Sequence, residues 1–125
     1  MKEGSPIIEL SYLFTLEIMS AAKAMRNRKE YDLASQFWRA GTSIGANEEE
    51  AQAAQSRADF KSKMSIAAKE ARESGYWLRL ARDGGILAKE HSESFLQQVE
   101  SIQKILTSIV KTTSKNPCPL EENFE

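Results

Sequence analysis

Leu33, Phe37, Ala40, Ile44, Asn47, Ala51 and Ala54 recur at steps of four, three, four, three, four and three. That is the spacing of an α-helix burying one seam; a strand, whose side chains alternate every two residues, cannot produce it. Three further segments keep the same period. Leu10, Phe14, Ile18, Ala21 and Met25 mark a first helix, and Phe60, Met64, Ala67, Ala71 and Leu78 a third, with Ile66, Trp77 and Leu80 in a second stripe beside it. Phe95, Val99, Ile102, Leu106 and Ile109 mark a fourth, its face widened by Ile105 and Val110. Neither a strand pattern nor an internal repeat interrupts them.

Between these segments the chain is punctuated. Ser5 is placed to cap the first helix and Pro6 to occupy its first position, which predicts a helix over 6–27. The polar link Asn27-Arg28-Lys29-Glu30 leads into a second helix over 31–56. Gln55-Ser56-Arg57 is read as the break, with Asp59 capping a third helix over 59–82 that stops at Asp83-Gly84-Gly85. Ser92 is read as the cap of the fourth, over 91–114, and the two prolines beyond Lys115 leave 115–125 as a flexible tail. Four amphipathic segments with short links predict one all-α domain over 1–125, an antiparallel up-down-up-down four-helix bundle.

Composition narrows the function classes. With 17 basic and 18 acidic residues the net charge is -1, so no overall basic excess exists to hold a polyanion. The single Cys118 has no partner for an internal disulfide, the opening Met-Lys-Glu-Gly-Ser-Pro lacks the regions of a signal peptide, and no apolar run approaches a bilayer span; a cytoplasmic location is expected. There is no phosphate-binding glycine loop and no GxSxG elbow, and Cys118 has no nearby histidine. Glu48, Glu49, Glu50, Glu70 and Glu73 supply carboxylates, but a di-iron bundle needs Glu-x-x-His motifs and His91, read as a solvated residue ahead of the fourth helix's cap, is the only histidine. No catalytic residue, cofactor, metal or small-molecule substrate is therefore expected.

Other residues point to assembly. Arg39, Ser43, Asn47 and Glu50 share one side of helix two and are read as a structural polar network with Lys69, Glu70 and Glu73 on helix three. Trp38, Tyr76 and Trp77 exceed what a thin interior requires, so these rings are expected at a subunit interface. Lys23, Arg26, Arg28 and Lys29 crowd the end of helix one. Repeated round an oligomer they would make a phosphate-binding ring, although complementing the helix dipole is the simpler account. Gly41-x-x-x-Gly45 is read as a packing device.

Taken together, Gly41-Thr42-Ser43-Ile44-Gly45-Ala46-Asn47, Glu50-Ala51, Asp59-Phe60, Lys69-Glu70-Ala71-Arg72-Glu73 and Tyr76-Trp77-Leu78 resemble the bacterial family of 23S rRNA-intervening sequence proteins. The resemblance runs over residues 10–112 and includes the closing segment Lys104–Lys111. It implies an antiparallel four-helix bundle assembled as a homopentamer round a central pore, a number that periodicity alone does not supply. It also implies kinship with the accessory variability determinants of diversity-generating retroelements, which bind nucleic acid and a reverse transcriptase. Against the family pattern, Glu48 and Lys61 replace aliphatic residues, Ala68 and Ala81 replace larger ones, and Gly75 interrupts a helical stretch. Glu48 and Lys61 are accordingly expected to be exposed or paired. The expected function is a non-enzymatic homo-oligomeric scaffold or accessory protein, with an RNA- or DNA-binding accessory protein as the second reading.

Overall fold

Pro6 opens the first helix, its fixed φ suiting a first turn in which its missing N–H would have had no partner. The computed structural model describes residues 6–115, which form α1 (Pro6–Asn27), α2 (Tyr31–Gln52), α3 (Arg57–Asp83) and α4 (Lys89–Lys115). No described residue lies in a strand. The expected Ser5 cap, Cys118 and the tail beyond Lys115 lie outside the described residues.

Hydrogen bonding at the ends explains where helix boundaries differ from the sequence reading. The second helix stops at Gln52, not 56, and the third begins at Arg57, because Ser56, not Asp59, caps it: the Ser56 hydroxyl accepts the Asp59 N–H at 3.0 Å. Asp59 instead sits in the first turn, where its charge complements the helix dipole. Ser92 is no cap either. Its N–H already donates to the Ala88 carbonyl at 2.9 Å, so α4 has begun by Lys89. Two helices close alike. The N–H of Glu30 reaches Met25 O and that of Lys29 reaches Arg26 O, while Ile86 reaches Ala81 O and Gly85 reaches Arg82 O. Both are Schellman turns with a left-handed residue, Lys29 at φ 68° in one and Gly85 at φ 72° in the other. Glycine adopts that conformation freely; lysine does so at a cost.

All four helices contribute to one core, with Phe14, Ile18 and Met25 from α1, Phe37 and Ile44 from α2, Met64 and Leu78 from α3, and Phe95, Val99, Ile102 and Leu106 from α4. Phe14 and Phe95 meet edge to face, centroids 6.2 Å apart, and join α1 to α4. α3 packs largely through alanines, among them Ala67, Ala68, Ala71 and Ala81. Small side chains let neighbouring backbones approach, so Ala68 and Ala81 are core positions. Gly75 leaves α3 unbroken, and Lys61 is exposed.

Two positions correct the seams. Leu10 is exposed; the buried face of α1 is Ile7, Ser11, Phe14, Ile18, Ala21, Ala22 and Met25. In α2 the interior place belongs to Glu48 while Asn47 turns partly outward, its amide donating to the Ser43 carbonyl one turn back at 2.8 Å. The two corrections have one cause: Ser11 and Glu48 face each other across α1 and α2.

Candidate functional site

At the α1–α2 contact Gly41 lies against Ile18; a Cβ there would come within 2.9 Å of the isoleucine Cγ2, so only glycine allows this approach. One turn along, Gly45 faces open space, with nothing within 4 Å of where its Cβ would stand. The helices therefore touch at one glycine and leave a cleft at the other. A cavity of about 260 Å³ fills it, with Ile8, Tyr12 and Thr15 on one wall and Thr42, Gly45 and Glu48 on the other, beside Ala46 and Glu49.

Glu48 is completely buried. Its Oε2 accepts the Ser11 hydroxyl at 2.6 Å, and its Oε1 meets no donor of the protein. Burial raises the carboxyl, the Ser11 hydrogen bond draws it back in part and the neighbouring charge of Glu49 raises it again, which together leave it at about 7. Glu48 is thus paired, as expected, but with a neutral hydroxyl and on one oxygen only. Binary patterning hides such a residue, because a glutamate at a seam position reads as surface; the signal present in the sequence was its departure from an aliphatic family position.

Of the seven residues read as a polar network, three meet across α2 and α3. Arg39 bridges Glu70, at 3.2 Å, and Glu73, and also reaches Gln36 on its own helix. Ser43 and Asn47 bond within α2, while Glu50 and Lys69 are exposed. Among the described residues no group of three or more His, Cys, Asp or Glu is placed to hold a metal ion. His91 lies within α4, not ahead of it, and stacks on Phe95 at 4.7 Å.

The aromatic set separates. Tyr76 is exposed and meets Trp77 edge to face at 5.2 Å, whereas Trp77 and Trp38 are half-buried against the core. Trp38 is covered by the Arg26 guanidinium, 5.1 Å from its ring centre. The larger apolar surface is on α1, where Leu10, Leu13 and Leu16, at steps of three, are 42%, 58% and 48% exposed beside an exposed Tyr12. Sequence reading assigned Leu10 to the core and passed over Leu13 and Leu16, although a helix carrying leucines outside its 3-4 seam announces a second apolar face. At the other end of α1, Arg28 donates to the Ile86 carbonyl at 2.8 Å and Arg26 lies on Trp38, which leaves Lys23 and Lys29 exposed without such ties.

Among the described residues, no helix is long and apolar enough to cross a membrane. No protein with a curated description matches the chain. A similar fold occurs in the crystal structure of a protein with unknown function from the S23 ribosomal protein family of Bacteroides thetaiotaomicron VPI-5482. That protein is 42% identical, with a TM-score of 0.82, over 84% of this chain and 98% of its own. The pattern of the 23S rRNA-intervening sequence proteins matches residues 4–108, and the chain belongs to that family.

Proposed function

We propose that the chain is a non-enzymatic, cytoplasmic scaffold or accessory protein that acts as a ring of identical antiparallel up-down-up-down bundles, five by resemblance to its family. The observation that carries the assembly is the row Leu10, Leu13 and Leu16, large apolar side chains left open on α1 after the core is complete. Exposed apolar patches on otherwise charged surfaces mark interaction sites. The antiparallel order is supported by contacts that run in opposite directions along paired helices: Ser11 with Glu48 but Arg26 with Trp38, and Arg57 with Thr113 but Gly75 beside Val99. Light scattering on the purified chain tests the assembly. A multimer that Leu13→Glu converts to single chains supports it, and single chains at micromolar wild-type concentration overturn it.

A second reading, an RNA- or DNA-binding accessory protein, draws support from the exposed Lys23 and Lys29 beside Arg26 and Arg28, a group every copy of a ring would repeat. Binding to a structured ribosomal RNA fragment should fall steeply with added salt, and alanine at Lys23 and Lys29 should flatten that dependence. No binding at low salt excludes it.

A further inference from the structure

The leucines of α1 have a counterpart across the molecule. α1 packs on α2 and α4, and α3 packs on the same two helices, but α1 and α3 do not touch. They stand at diagonal corners of the bundle, so their outer faces look away from each other. On α1, Leu13 is 58% exposed and lies between Glu9 and Glu17, one turn before and one turn after it. On α3, Ile66 is 36% exposed and lies between Lys63 and Lys69, three residues to either side. Residues at these spacings are neighbours on a helix surface. The chain therefore carries one apolar strip edged by acids and another edged by bases. Neither lysine pairs with a carboxylate among the described residues: Glu70 and Glu73 are held by Arg39. Glu17 meets the neutral amide of Gln98, at 3.3 Å.

The two strips also lie at one height. Ile18 of α1 lies against Gly41 of α2, and Arg39, about half a turn from Gly41, reaches Glu70 and Glu73 of α3. The middle of α1 is thus level with the Lys69–Glu73 turn of α3. In the antiparallel order α1 and α3 run the same way. Counting back along both sets Glu17, Leu13 and Glu9 level, to within a turn, with Lys69, Ile66 and Lys63.

We propose that α1 of one copy docks on α3 of the next, Leu13 and Leu16 covering Ile66 while Glu9 and Glu17 face Lys63 and Lys69. The pairing rests on the proposed assembly and names the face that its leucines meet. Rotation about an axis along the helices carries each copy to the next without a shift along that axis, so strips at one height meet. A contact between two different faces adds copies head to tail. Pairing α1 with α1 would instead set the acids of one copy against those of the other, and like charges so placed oppose association.

The test is disulfide trapping in the full chain with Cys118→Ser, which removes the native thiol. Leu13→Cys and Ile66→Cys together, under mild oxidation, should give a ladder of covalent multimers on a non-reducing gel, since α1 and α3 of one copy do not touch. Leu13→Cys alone should give none; linked pairs from it would place α1 against α1 and overturn the proposal. Charge reversal, read by light scattering, is a second measurement that leaves the core alone. At low salt Lys63→Glu with Lys69→Glu should raise the dissociation constant of the assembly at least about tenfold, and adding Glu9→Lys and Glu17→Lys to the same chain should restore it. A multimer that Leu13→Glu dissociates, but that neither forms the ladder nor responds to the lysine reversal, keeps the assembly and overturns this contact. Single chains of the wild type overturn both.

Discussion

Two contacts made by carboxyl groups tie α2 to its neighbours, and they differ in solvation and in partner. Arg39 meets Glu70 and Glu73 of α3 with its side chain 47% exposed. Glu48 meets Ser11 of α1 with no exposure at all. The first is an ion pair at the helix edge: Arg39 and Glu73 keep much of their hydration while Glu70 is mostly covered, and pairing gains little beyond selecting one arrangement of the side chains. The second is a carboxyl in a dry interior with no countercharge, so its protonation state becomes a property of the fold. A charged residue that is costly where it stands deserves a chemical reading that a satisfied one does not need.

The largest expected effect is on pH dependence. Unfolded, Glu48 ionises near its ordinary 4.5; folded, it does so at about 7. Between those values the folded chain binds more protons, so the stability this group supplies is whole below 4.5 and is lost as pH rises through 7. The shift corresponds to about 3 kcal/mol. Urea unfolding at pH 5 and pH 8 should show that loss in the wild type and a nearly flat profile in Glu48→Gln, while Arg39→Ala keeps the wild-type slope. A wild-type profile parallel to that of Glu48→Gln would erase the difference between the two contacts.

Ser11→Ala comes next. It removes the one donor on Glu48, so stability at pH 8 should fall by about 1 to 2 kcal/mol, and the carboxyl, relieved of a bond that lowers it, should titrate higher still. An unchanged carboxyl titration would mean that the Ser11 bond does not form in solution.

The two glycines of α2 sharpen the contrast on its α1 side. Gly41→Ala should cost about 1 kcal/mol, since crowding of the new methyl on Ile18 outweighs the better helix propensity. Gly45→Ala, in open space, should gain about 0.5 to 1 kcal/mol. Thermal unfolding gives both signs, and a gain at Gly41 would show the α1–α2 contact to be looser than drawn.

What could be read from the sequence divides along the same line. Four helices follow from 3-4 spacing, because large apolar side chains at that period have no other way to be buried together. Arg39 and the acids of α3 could be paired from their positions on facing helix sides. The register at Asn47 could not: with Glu48 scored as polar, the nearest position that preserved the spacing was its neighbour, and only the location of Ser11 on another helix decides between them. The caps failed for a related reason. Ser56 and Asp59, like Ala88 and Ser92, are three or four residues apart, and which one starts the helix depends on where the preceding segment packs. The open leucines of α1 were visible as residues but not as surface, since a helix with two apolar faces does not itself say which one the core will take.

Arg39→Ala is the smallest effect expected and the one that closes the comparison. Glu70 is mostly covered and Glu73 partly so, and removing Arg39 leaves both with access to water at the helix edge. The loss should be about 0.5 kcal/mol and should shrink as salt is added, as for an exposed pair. Chemical unfolding at low and high salt measures it. A loss above about 2 kcal/mol, insensitive to salt, would place Arg39 among interactions that hold without solvent. The α2–α3 contact would then resemble the α1–α2 one in burial, and the distinction would rest on charge pairing alone: carboxylates beside an arginine against a carboxyl beside a neutral hydroxyl.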